Sequence, residues 1–274
     1  MARFSIGDIE KMLFEVFVVS DALENDRFGL LTGDRKSIVT RIALSLDQSI
    51  PMIEAAAAQG CNLLVSHHPV FWMPLSSVLA TSSAAVSDEA RVYRAIQSDV
   101  ALLSVHTCLD CSPLTAGMLV ESVGLELSGP LRAHGTGSLG QIARPAAAYG
   151  REYLTLGELA GNYQRSFGRV CKVWGDPNKP LFSIATCSGG AGEVVSDVIA
   201  AEVDCFVTGE LRHHEALWLS ENDIALIELG HDISELSYRY YLQGALISAG
   251  FPPSDIIILE PTAQWWQLGY KARA

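Results

Sequence analysis

At 274 residues the chain is long enough to bury one large core or two smaller ones. It is 49% hydrophobic and only 18% charged, a balance that excludes disorder. Its 19 basic and 31 acidic residues give a net charge of -12 with no Lys/Arg run, so it repels phosphate backbones and nucleic acid is not expected as a partner.

The opening MARFSIGDIEKML lacks the charged n-region and long apolar h-region of a signal peptide. No apolar stretch approaches the roughly 18 residues of a membrane span. A cytoplasmic protein without membrane association is expected. The six cysteines, at 61, 108, 111, 171, 187 and 205, are dispersed and are expected as reduced thiols.

TRIALSLD (40–47) alternates, ends in an acid and reads as a strand. SIPMIEAAAAQG (49–60) follows as an Ala-rich helix stopped by Gly60. CNLLVS (61–66) is a short apolar strand of the buried, parallel kind. DEARVYRAIQSD (88–99) is a helix with Ser87 as N-cap, and VALLSV (100–105) is a second buried strand. Around SGPLRAHGTGSLGQIARP (128–145) the periodicity stops and Gly and Pro accumulate, which predicts a domain boundary.

The second half repeats the alternation. Thr155 and Glu158 form a capping box at a helix start, and strands follow at 170–174 and 181–186. Then come helix 193–202, strand 204–208, a further helix, strand 224–229, a long helix ending near Gly250 and strand 255–260. Strands alternating with helices predict βαβ units. The expected class is α/β, with two similar domains built on mostly parallel or mixed sheets. Residues 1–127 form the first and 128–274 the second, the C-terminal helix being available to pack on the first. Trp265 and Trp266 fall outside any clear element and are expected to close a core or a subunit contact.

Six of the seven histidines cluster after strands. His67 and His68 follow strand 61–66 and precede Pro69. His106 follows strand 100–105, with Asp110 four residues on. His231 follows strand 224–229, with Glu235 four residues on, and TGELRHH (208–214) sets Glu210 and His214 one helical turn apart. Ligands of open parallel sheets bind at the carboxyl ends of the strands. Residues i and i+4 share a helix face, so His231 and Glu235 can present a nitrogen and an oxygen to one point. Taken singly, each group has a bland counterpart: a solvated turn for His67-His68, a capping arrangement for HxxxD and HxxxE, a helix surface for His213-His214. Their joint recurrence at strand ends favours metal. Imidazole and carboxylate donors suit Zn, Fe(II), Mn, Co or Ni, and three His with two carboxylates exceed the needs of one tetrahedral ion. They suffice for two ions bridged by a carboxylate and a water.

SGGAG (188–192) joins a strand to a helix start. Ser188, Gly189 and Gly190 could offer backbone N–H groups to a phosphate. The stretch fits neither the dinucleotide fingerprint nor the Walker pattern, so a tight connection is the competing reading.

LLVSHHPVF, HTCLD, GTGSLG, TCSGGAG, FVTGE and LGHDISE occur in the order found in the Nif-three-like dinuclear metal-centre family, some members of which carry the label GTP cyclohydrolase I type 2. The chain resembles that family from about residue 25 to 260. The resemblance implies two related α/β domains, a dinuclear site in the cleft between them, and a homohexamer. It also implies His67, His68, Asp110, His231 and Glu235 as metal ligands, with His106 and His214 lining the site in a catalytic or substrate-facing role. The sequence departs from the family in several places. Cys108 replaces the usual Asn, PLTAG (113–117) replaces a Gly-Gly-Val-Asn stretch, NDRFGL (25–30) replaces an acid-Asn-x-Gly-Leu pattern, and FWMP (71–74) lacks the Lys or Arg that relatives often carry after HHP.

Two functions compete on this reading. One is a hydrolase dependent on two divalent ions, acting on a nucleotide-like or other small phosphorylated or heterocyclic substrate, with the GTP cyclohydrolase reaction one candidate. The other is a non-catalytic protein that stores, delivers or senses metal, or an oligomeric adaptor.

Overall fold

The structure, a computed structural model, describes residues 3–78, 87–147, 150 and 153–261. Trp265 and Trp266 lie outside these residues. The described chain falls into two compact units, 3–109 with 238–261, and 110–237.

The first unit opens with α1 (Ile6–Val16). Ser5 and Asp8 close a capping box at its start, and Ile6, Ile9 and Leu13 are buried along one face. After β1 (Gly29–Thr32) come β2 (Ile42–Ser45), α2 (Ile50–Ala58) and β3 (Leu63–Ser66). Next are α3 (Asp88–Gln97), β4 (Ala101–Ser104) and the short α4 (Thr107–Asp110). Ser87 caps α3 as its sequence predicts, its Oγ accepting from Ala90 N at 3.3 Å. β2, β3 and β4 are buried along their whole length, which is why β3 and β4 read as apolar runs; β2, whose sequence alternates, is buried on both faces as well.

The second unit begins with β5 (Leu125–His134) and β6 (Gly137–Pro145), an antiparallel hairpin. The Gly- and Pro-rich stretch expected as a domain boundary is therefore paired strand. Its glycines serve the turn at Gly135, where φ is 54°, and a register shift beside Gly129. The chain passes between units at 109/110 instead of 127/128. β7 (Leu154–Thr155), α5 (Leu156–Phe167), β8 (Lys172–Trp174), β9 (Pro180–Leu181) and β10 (Ile184–Gly190) follow. Then come α6 (Val195–Ala200), β11 (Cys205–Glu210), α7 (His213–Glu221), β12 (Ala225–Glu228) and α8 (His231–Glu235). The sheet order is β5-β6-β10-β11-β12-β8, with β10, β11 and β12 parallel and the rest antiparallel. Its core holds Tyr163, Leu181, Ile184, Val207 and Ile227, none of them exposed.

The chain then returns to the first unit as α9 (Tyr238–Ser248), which packs on α1, and β13 (Ile256–Ile258). β13 pairs in parallel with β2, Ile256 opposite Ile42. The strand expected at 255–260 therefore belongs to the first sheet, whose order is β1-β4-β3-β2-β13, all parallel save β1. The class is mixed α/β. Among the described residues no helix is long and apolar enough to cross a membrane.

Candidate functional site

In the first unit the sequence builds a histidine triad at the carboxyl ends of β3 and β4. Ser66 Oγ donates to the carbonyl of His68, and Ser104 Oγ to that of His67, each at 2.6 Å, so the two strand-end hydroxyls fix the turn. The rings of His67 and His68 lie 4.8 Å apart, those of His67 and His106 5.0 Å, and those of His68 and His106 6.0 Å. Each of the three can present one nitrogen within 4.8 Å of the other two.

The outer side of each ring is held. His67 Nδ1 lies 3.2 Å from the carbonyl of Val105, His68 Nδ1 2.8 Å from Asp47 Oδ1, and His106 Nδ1 2.5 Å from Asp26 Oδ1. A carbonyl only accepts, so His67 donates from Nδ1. The carboxylates of Asp47 and Asp26 accept from Nδ1 of His68 and His106 in the same way. Metal-binding histidines characteristically show this arrangement, with the far N–H given to a carboxylate or carbonyl. Asp26 also accepts from Thr107 N at 3.0 Å and Thr107 Oγ1 at 2.5 Å. Burial works to raise its pKa, but the bonds from His106 and Thr107 outweigh it and hold the carboxyl below its ordinary value.

In the second unit α8 sets His231 and Glu235 one turn apart, with His231 Nε2 3.2 Å from Glu235 Oε2. Glu210, at the end of β11, reaches His231 Nδ1 at 3.0 Å. Glu235 is buried, while His231 is half-buried. The glycine loop provides the room. Gly189 has φ +64°, and a Cβ there would overlap the Glu235 carboxylate and lie 3.4 Å from His231 Nε2. Its N–H donates to Ser234 Oγ at 2.9 Å, and its carbonyl accepts from Thr208 Oγ1 at 3.3 Å. Of the residues considered for phosphate, Ser188, Gly189 and Gly190, the central one thus commits its N–H to seating α8. Asp110, half-buried at the end of α4, faces the same interior. Burial foremost, then the charges of Asp110, Glu193 and Glu235, push the Cys187 thiol upward.

Of the residues singled out by sequence, the structure brings His67, His68 and His106 together, and His231 with Glu235. His214 stands apart on the exposed face of α7, its ring edge-on to Trp218 at 5.3 Å. Glu210 does not pair with His214 as their spacing suggested; β11 ends level with α8, so it meets His231. Asp26 and Asp47 were not foreseen as partners. Asp47 had a signal, as the acid ending its strand, whereas Asp26 acts on His106 from 80 residues away.

The fold and these donors define a mixed α/β protein whose His and Glu side chains could hold a metal ion. Residues 4–251 match Duf34/NIF3 (NGG1p interacting factor 3), and the chain belongs to that family. Curated relatives carry the name GTP cyclohydrolase 1 type 2 homolog. One from Campylobacter jejuni is 27% identical over 219 residues, 80% of each chain, and one from Streptomyces coelicolor 29% identical over 245 residues, 81% of each. Among solved structures, a hypothetical protein of Staphylococcus aureus superposes with a TM-score of 0.85 at 21% identity, covering 97% of this chain and 99% of its own. A Bacillus cereus protein related to NIF3 gives 0.82 at 15% identity, covering 96% and 99%. These likenesses carry the fold.

Proposed function

We propose that the protein is a hydrolase dependent on two divalent metal ions, acting on a nucleotide-like or other small phosphorylated or heterocyclic substrate. The observation that carries this reading is the triad His67, His68 and His106, each with Nδ1 held from behind and each able to present one nitrogen within 4.8 Å of the other two. His67, His68, Asp110, His231 and Glu235 would hold the ions, whose donors suit Zn, Fe, Mn, Co or Ni. When bound, such a pair supplies a water acidified to near neutral pH and a Lewis acid for the scissile group.

The chain's own residues do the rest. Asp47 and the Val105 carbonyl fix the tautomers of His68 and His67, and Glu210 orients His231. His106, backed by Asp26, takes or returns a proton at Nε2. His214, the other histidine considered for that transfer, is exposed on α7. The partners of this reading are a small molecule and further copies of the chain, a homohexamer by family resemblance. The relatives' name keeps the GTP cyclohydrolase reaction within the class.

Metal analysis of unchelated protein, wild type beside Glu235→Ala, with hydrolysis of a nucleotide and phosphoester panel in the same samples, tests the proposal. About two ions per chain, lost with a metal-dependent activity in the variant, is the expected result. Two ions without turnover would favour storage, delivery or sensing of metal. Failure to reconstitute metal would remove both readings.

A further inference from the structure

One large apolar side chain beside the histidine triad is not used by the core. Trp72 is 51% exposed, and its neighbour Met73 74%. The indole ring meets His106 edge-on at 4.9 Å between centroids and lies 6.4 Å from the ring of His68. Leaving an indole half in water forfeits the stabilisation its burial would give, and exposed apolar surface beside convergent polar groups marks ligand contact.

A cation is held at the same place. Arg27 Nε donates to the carbonyl of Trp72 at 3.3 Å. The loop that carries Arg27 is pinned on both sides, by Asp26 on His106 and Thr107 and by the ring of Phe28 on Phe14 at 5.6 Å. Beyond that one bond, the Arg27 side chain makes no hydrogen bond or ion pair among the described residues. In a chain of net charge -12, this guanidinium offers an anion a charged donor beside the backbone of Trp72. FWMP carries no cation of its own; Arg27 brings one to it from 45 residues upstream.

We propose that Trp72 and Arg27 together select the substrate, the indole stacking on a planar heterocyclic ring and the guanidinium pairing with a phosphate attached to it. The substrate class is then a phosphorylated heterocycle, of which a nucleoside monophosphate is the simplest. This rests on the hydrolase reading of the same site. Trp72 supplies a sequence-tolerant π-face and Arg27 a planar two-pronged donor, so the two contacts can be separated by fragments of one ligand.

The test is calorimetric titration of the whole metal-loaded protein with adenosine 5′-monophosphate, adenosine and ribose 5-phosphate, metal content being read in every sample. In Trp72→Leu, affinity for the monophosphate and adenosine should fall at least about tenfold while ribose 5-phosphate holds within about twofold. In Arg27→Gln, the monophosphate and ribose 5-phosphate should weaken and adenosine hold. Trp72→Phe, which keeps a ring, should retain most of the affinity and guards against a folding defect in the leucine variant. Unchanged monophosphate affinity in Trp72→Leu, or a wild type that binds none of the three probes, overturns the proposal. If metal content is intact when that happens, the hydrolase reading stands without it. A wild type that holds no metal overturns the hydrolase reading instead, and the binding arms still decide the roles of Trp72 and Arg27.

Discussion

Asp26 Oδ1 lies 2.5 Å from His106 Nδ1, joining the loop before β1 to the turn after β4. The same carboxylate takes the N–H and hydroxyl of Thr107, so one buried side chain fixes both the tautomer of an imidazole and the start of α4. Asn at this position keeps the size and loses the charge. Asp26→Asn is expected to lower metal-dependent turnover through His106 while metal affinity holds, and Asp47→Asn, which removes the outer partner of the ligand His68, to lower metal affinity by about 10–100-fold. Hydrolysis of the substrate panel reads the first and competition against a chelating dye the second. Unchanged turnover in Asp26→Asn would show that His106 is oriented by other means.

Gly189 and Gly190 are neighbours with opposite expectations. Alanine at 189 must adopt φ +64° and meets the Glu235 carboxylate, whereas a Cβ at 190 finds nothing closer than 3.8 Å. Gly189→Ala should cost at least about 1–2 kcal/mol from the backbone alone and disturb the His231–Glu235 pair. Gly190→Ala should be close to neutral. Thermal unfolding together with metal content reads the contrast, and equal behaviour of the two variants would contradict it.

Tyr163 is fully buried in the second unit, and its hydroxyl donates to the Leu119 carbonyl at 2.5 Å. Tyr163→Phe leaves that acceptor without its donor in a dry core. A loss of about 1–3 kcal/mol is expected, measured by urea unfolding.

Glu10 accepts from Arg35 at 2.6 and 2.9 Å and from Leu30 N at 2.9 Å. Burial pulls its pKa up, but these bonds and the charge of Arg35 outweigh it, leaving the carboxyl below its ordinary value. A lowered folded-state value contributes stability above the unfolded pKa, about 4.3, that is lost as pH falls through the folded one. Arg35→Met should move the acid-unfolding midpoint to higher pH. The effect at neutral pH should stay below about 1 kcal/mol, because the arginine is mostly in solvent. Circular dichroism against pH gives the comparison.

Five of the six cysteines are buried and Cys171 is half-buried. Burial pushes its thiol up to about 11 and raises that of Cys61 as well. Folded protein should react slowly with a thiol reagent at pH 8, and denatured protein should release all six. A fast-reacting thiol in the folded state would contradict this.

The buried strands were legible because short apolar runs bounded by turn signals have few other uses, and the capping boxes and Ser87 are local chemistry. The hairpin of β5 and β6 was misread because Gly and Pro mark a bulged, half-exposed strand as readily as a linker. β13 was assigned to the wrong sheet because its pairing with β2 spans more than two hundred residues, and nothing in DIIILE names its partner. At the site the pattern was similar. His67, His68, His231 and Glu235 announced themselves by spacing, and His214 looked equivalent to them until α7 turned it to solvent. Asp26 lies in NDRFGL, a stretch marked for its departure from the family pattern and not for its acid, since its role exists only once β1 and β4 are side by side.

The late arrival of β13 also bears on how the protein is made. β2 is translated early but stays an open sheet edge until residues 256–258 emerge roughly two hundred residues later. At about 5–20 residues per second, that leaves an apolar edge uncovered on the ribosome for roughly 10–40 s. The described part of the second unit, 110–237, is continuous in sequence and emerges within that interval. Nascent chains stalled before and after β13 should therefore differ in protease resistance across the first unit and hardly at all across the second.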